Sequence, residues 1–145
     1  MKKVDHIGIA VRNLEEVIPY YTETLGCPLL KIEEVASQKV RVAFIDAGNI
    51  KLELLEPMDE SSPIAKFMDK RGEGIHHIAF GVEDIDSRMA ELREKGVQLL
   101  SEEAKPGAGG AMVALIRFMM IPPYLIDMRT QRAGRGSRAA RLTLE

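Results

Sequence analysis

Tryptophan is absent, and only 3 tyrosines and 4 phenylalanines are spread over the 145 residues. Any core must therefore be filled by Val, Ile, Leu and the 8 methionines. Cysteine is nearly absent as well. The single Cys27 excludes an internal disulfide and a cysteine metal cluster, and it favours a reducing, cytoplasmic setting. No apolar run approaches the ~20 residues that a membrane span needs, so no membrane partner is expected. The opening MKKVDHIG has two lysines but no apolar segment behind them, so no signal peptide is expected. An excess of positive charge is also missing. The formal net charge is −2, which predicts no general affinity for nucleic acid.

What remains is the composition of an ordinary globular protein, 46% hydrophobic and 29% charged. The length suits one domain, or two half-size modules sharing a sheet. The charge is uneven. Arg129, Arg132, Arg135, Arg138 and Arg141 recur every third residue among Gly, Ala, Ser and Thr. Such a segment could be a basic arm for an anionic partner. Its lack of an apolar face favours a solvated, disordered tail or a cloning remnant, which the final Leu-Glu also suggests.

The most informative feature is a repeat. VDHIGIAV at Val4–Val11 and IHHIAFGV at Ile75–Val82 both read as strands with a histidine third from the start. Asn13 follows the first strand as an N-cap, with Glu16 three residues on. Leu14, Val17, Ile18, Tyr21 and Leu25 then recur at helical spacing up to Gly26, with Pro19 expected to weaken or kink the helix. Leu29–Val35, Lys39–Asp46 and Ile50–Glu56 read as three more strands, with a hairpin turn at Ala47-Gly48-Asn49. In the polar connection, Ser62 and Pro63 should open a short helix. After Ile75–Val82, Asp84 caps a helix with Ile85, Met89 and Leu92 on one face, stopped by Gly96. LGCPLL at Leu25–Leu30 is echoed by KGVQLL at Lys95–Leu100. The copies are offset by 71 residues at the histidines and 70 at the glycines, which implies two β-α-β-β-β units.

Like modules pair about a pseudo-two-fold axis, so His6 and His77 are expected to meet. A lone histidine at a strand start is ordinarily structural; a symmetry-related pair points to a shared metal. Glu53 alternates with Leu52 and Leu54 in KLELLEP, so it faces away from them. A carboxylate there is costly to bury unless paired or metal-bound. Asp127 takes the matching place in YLIDMR, 74 residues later. His6, Glu53, His77 and Asp127 are thus the candidate metal ligands. They form a borderline set suited to a divalent ion, Co²⁺ first, with Mn²⁺, Ni²⁺, Zn²⁺ or Fe²⁺ as alternatives.

These residues resemble the vicinal-oxygen-chelate (glyoxalase-like) superfamily, and within it the methylmalonyl-CoA epimerase family. The matching segments are DHIGIAV, KLELLEP, SSPIAKFMDKRGEGIHHIAF and VQLLSEEAKPGAGG, covering residues 4 to about 111. The resemblance implies an α+β fold, in which two paired βαβββ modules form a curved mixed sheet around a metal site. On this reading residues 1–128 are one domain, with modules at about 3–57 and 75–128, a linker at 58–74, and the tail at 129–145. It further implies metal ligation by His6, Glu53, His77 and an acid on the last strand, and a small acyl-CoA substrate. The implied activity interconverts (R)- and (S)-methylmalonyl-CoA through an enolate. A homodimer is expected by analogy with small proteins of this fold.

The match decays past residue 111. Arg117-Phe118 stands where the family has His-Pro, and Pro122-Pro123 where it has Gly-Gly. Asp127 falls on the family's catalytic, metal-binding Glu, one methylene shorter. Val42 aligns with a second catalytic Glu that some members carry. Asp127 and Glu53 are therefore the candidate bases. Two other activities stay open: a glyoxalase I-type isomerase acting on a glutathione hemithioacetal, and a metal-free small-molecule binding module.

Overall fold

A computed structural model describes residues 3–117, 125–132 and 138–144 of the chain, with side chains described as far as Ile116. The chain divides into two compact units, Ile7–His76 on one hand and Met1–His6 with His77–Glu145 on the other.

In the Ile7–His76 unit the strands β1 (Lys3–Ala10, which enters it at Ile7), β2 (Leu29–Val35), β3 (Val40–Asp46) and β4 (Lys51–Pro57) lie in the order β2-β3-β4-β1. The β2–β3 and β3–β4 pairings are antiparallel, with Phe44 opposite Glu53. The β3–β4 turn forms as its sequence dictates. The Asp46 carboxylate accepts from Gly48 N at 2.8 Å, and Ala47 N donates to the Ile50 carbonyl at 3.0 Å.

Helix α1 (Leu14–Pro19) starts at Asn13, whose side chain accepts from Glu16 N at 3.3 Å. Pro19 has no N–H to give its own turn, and the chain leaves the α register at that point. Residues Tyr20–Thr24 wind as a π-helical turn, with Leu25 N donating to the Tyr20 carbonyl at 3.1 Å. Gly26, at φ +69°, ends it. The looser turn rotates Leu25 out of the apolar face expected for it, and it is exposed. Val11, Leu14, Ala43, Ile45 and Leu54 form this unit's core, with Val17, Ile18, Tyr21 and Cys27 packed on it.

One ion cluster ties these elements together. Glu56 on β4 accepts from Leu14 N at 2.6 Å and from the Arg41 guanidinium at 2.8 Å, while Glu15 takes the other side of Arg41 at 2.8 Å. These partners hold the Glu15 carboxyl below its usual range and push the Arg41 guanidinium further up. The linker carries α2 (Pro63–Arg71), where the Ser62 hydroxyl accepts from Ile64 N at 3.2 Å and Pro63 occupies the first turn.

The second unit repeats the order strand, helix, strands. It contains β5 (Gly74–Val82, entering at His77), α3 (Ile85–Glu94), β6 (Lys105–Pro106), β7 (Met112–Arg117), β8 (Leu125–Arg132) and β9 (Arg138–Leu144). The Asp84 side chain caps α3 by accepting from Ser87 N at 2.9 Å. The expected face of Ile85, Met89 and Leu92 is buried with Val82, Ala114 and Ile116. The KGVQLL echo differs from its counterpart in the first unit. Leu99 makes a single antiparallel bridge to Ile116 where β2 has a full ladder.

The strand order here is β5-β9-β8-β7-β6, and the β5–β9, β9–β8, β8–β7 and β7–β6 pairings are all antiparallel. The expectation of a disordered tail over 129–145 does not hold for residues 129–132 and 138–144, which are strand; residues 133–137 and 145 lie outside the described residues. Leu125–Arg132 continues β8 through Arg129, and Arg138–Leu144 is a strand between β5 and β8. The composition argument weighed only the side chains. A strand also needs partners for its backbone, and β5 and β8 supply them on both sides.

Candidate functional site

His6 and His77 are brought together, as their positions in the repeat require. Both belong to the second unit. His6 Nε2 lies 3.0 Å from His77 Nε2, and the rings meet edge to face at 5.1 Å with 83° between their planes. Each ring is buried, His6 to within 1%. The other nitrogen of His6 is also engaged, since Nδ1 sits 3.1 Å from the Asp5 carboxylate, itself buried. Facing, buried ring nitrogens are donors of the kind that suit a borderline divalent cation.

Glu53 belongs to the other unit, on β4 between Leu52 and Leu54, and is 3% exposed. Burial of such a carboxylate is costly without a cation or strong donors. Val42, where the resemblance implies a second glutamate in some members, is fully buried opposite Glu33 and Leu55. That position is therefore occupied by an apolar side chain.

Asp127 lies on β8, between Leu115 of β7 and Thr143 of β9. The strand beside β5 is β9, so Asp127 is on the second strand from the one that carries His77, not on the adjacent strand. Its side chain lies outside the described residues, as do Phe118, Pro122 and Pro123.

Sequence reasoning overlooked Asp5. It stands in the quoted DHIGIAV stretch, and an acid next to a candidate ligand was the signal for a partner of that ligand. The matching position before His77 is His76, which is buried and packs edge-on against Phe67 of α2 at 4.9 Å. Burial pushes the His76 imidazole down to about 4, so it is neutral at physiological pH.

With this geometry in place, comparison with known proteins settles the family. The sequence profile of the Glyoxalase/Bleomycin resistance protein/Dioxygenase superfamily matches residues 5–115. The chain belongs to this superfamily. The match takes in His6, Glu53 and His77 and stops before Asp127. The uncharacterized protein YqjC of Bacillus subtilis (strain 168) is 41% identical over 80% of this chain and 83% of its own length. The mitochondrial methylmalonyl-CoA epimerase of Bos taurus is 36% identical over 79% of this chain, and the chain spans 66% of that protein. A solved variant of Streptomyces coelicolor methylmalonyl-CoA epimerase, in complex with 2-nitronate-propionyl-CoA, is 38% identical at a TM-score of 0.73. That likeness covers 79% of this chain and 86% of the other. The α+β vicinal-oxygen-chelate fold that the resemblance implies is the fold of this chain. Among the described residues, no helix is long and apolar enough to cross a membrane.

Proposed function

We propose that the protein is a metal-dependent epimerase that interconverts (R)- and (S)-methylmalonyl-CoA through an enolate. The observation that carries this reading is the buried His6–His77 pair, with Nε2 atoms 3.0 Å apart. Two facing imidazoles are the start of a cation site, and Glu53 is the third ligand we assign. All three are buried and offer one ligand atom each, so the donor set fits a divalent ion, Co²⁺ first among the candidates. The substrate class is supported by the epimerase relatives and by the CoA thioester bound to the Streptomyces coelicolor enzyme.

Bound there, the ion would act as a Lewis acid toward the negative charge that develops on the substrate oxygens. The protein supplies the rest. Epimerisation removes the Cα proton from one face and returns a proton to the other, which calls for two bases. We assign these roles to Glu53 and Asp127. The reading includes a reducing cytoplasmic setting, supported by the single cysteine. It also includes a homodimer, supported by Leu29, Leu30 and Ile32, which β2 leaves exposed.

The test follows the conversion of pure (S)-methylmalonyl-CoA by chiral analysis, before and after chelation and with Co²⁺ restored. Interconversion that chelation removes and Co²⁺ restores is the expected result. Conversion of a glutathione hemithioacetal instead would point to the isomerase, and no turnover of either to the binding module.

A further inference from the structure

Arginines that recur every third residue in the C-terminal sequence are set in pairs by the strand register. Arg129 of β8 stands directly opposite Arg141 of β9, and Arg132 stands opposite Arg138. Like charges directly opposite each other destabilise a sheet, and a bound anion relieves that repulsion. Successive residues of a strand belong to alternate faces, and the register carries this alternation across the unit. Lys105 of β6 is opposite Val113 of β7, and Val113 is opposite Arg129. Arg129 is opposite Arg141, which is in turn opposite Gly81 of β5. These positions form one row across one face of the sheet. His77 and Asp127 belong to the same face. Arg132 and Arg138 belong to the other, with Val82, Ala114 and Ile116, which pack with α3. Among the described strand residues of the row's face, Asp127 is the one acid, against Lys105, Arg117, Arg129 and Arg141.

We propose that Lys105, Arg129 and Arg141 form a phosphate-binding row that receives the diphosphate of an acyl-CoA. The planar fork of an arginine donates two parallel N–H bonds to a phosphate. Adjacent strands lie about 4.8 Å apart, so the opposed arginines of β8 and β9 suit two linked phosphoryl groups. Lys105, exposed on the edge strand β6, adds a further cation at the end of the row. Gly81 ends the row on the other side and is four residues along β5 from His77, roughly 14 Å. The pantetheine arm between a thioester sulfur and the diphosphate is about a dozen bonds long, roughly 15 Å when extended. A thioester at the histidine pair therefore brings its diphosphate to the row.

The assignment rests on the acyl-CoA reading above, and the experiment separates the two. Coenzyme A without an acyl group is titrated calorimetrically into the full chain, with pantetheine and inorganic diphosphate as comparison ligands. Arg129→Gln and Arg141→Gln should each weaken coenzyme A binding by about 10-fold and leave pantetheine binding unchanged. Arg132→Gln and Arg138→Gln remove the same charge from the same strands on the other face, and should leave coenzyme A binding as it is. A loss of equal size in those two variants would mean general attraction by net charge and would overturn the row. So would coenzyme A binding that Arg129→Gln and Arg141→Gln do not alter, whether or not the protein epimerises methylmalonyl-CoA. Inorganic diphosphate that binds as tightly as coenzyme A would overturn the substrate assignment. Coenzyme A held through Arg129 and Arg141 by a protein that does not epimerise methylmalonyl-CoA would uphold the row and overturn the epimerase reading.

Discussion

His6, His77 and Glu53 are expensive to bury unless something compensates them, and the cost predicts how their variants behave. Replacing either histidine by alanine removes one of two imidazoles from the proposed site. His6→Ala and His77→Ala are each expected to lose most bound metal, with Co²⁺ affinity falling by at least ~100-fold. Calorimetric titration checks this, and full metal occupancy in either purified variant would refute a shared site. Asp127 poses the opposite problem. In the proposed site it would stand in for a longer side chain, with a reach shorter by roughly one C–C bond, about 1.5 Å. Misplacement by about 1 Å at a reacting centre costs on the order of 100-fold in rate. The protein is therefore expected to turn over slowly. Asp127→Glu should raise the epimerisation rate and Asp127→Asn should lower it, because an amide takes no proton. Equal rates in all three would show that Asp127 is not a base.

The elements follow local chemistry closely where caps and turns decide, and less closely where a partner strand decides. Asn13, Ser62 and Asp84 were legible as caps because each needs only its own next few backbone N–H groups. The π-helical turn after Pro19 was legible only as a disturbance, since the missing N–H says where the α register fails and not what replaces it. β9 was not legible at all. Its alternation is weak, and what makes it a strand is the unfilled slot between β5 and β8. Deleting residues 133–145 should therefore lower Tm by several degrees, by removing a strand with partners on both sides. An unchanged Tm would show that β9 contributes nothing to stability. On α3, Glu91 interacts with both Arg88 and Lys95, and these cations pull its carboxyl down to about 2 from an ordinary 4.5. A depressed acid stabilises the fold at every pH above its unfolded value, and that contribution fades as pH falls from 4.5 toward 2. Glu91→Gln should thus lower Tm slightly at pH 7. The difference should be small, because the ions are exposed and screened, and it should vanish by pH 2. A difference that persists there would mean that packing, not charge, is responsible.

For the whole molecule, the repeat carried most of what the sequence disclosed. Two histidines at one position of two similar strands predicted their meeting, and the 3.0 Å contact agrees. Glu53 was legible because a carboxylate between two core leucines has no ordinary reason to be buried. The copies diverge at the end of the second unit, where β9 takes the place next to β5 and Asp127 lies one strand further on, on β8. Symmetry also hid Asp5, whose counterpart is a histidine. The central claim is that a buried histidine pair and a carboxylate activate the Cα–H bond of an acyl-CoA thioester for removal and return. Deuterium exchange at Cα tests it most directly, because it registers proton removal even if return to the opposite face is slow. Methylmalonyl-CoA incubated in D₂O with the Co²⁺-loaded protein should gain deuterium at Cα, and the gain should disappear in His6→Ala. Deuterium entering no faster than in buffer alone, from protein shown to hold its metal, would contradict the account.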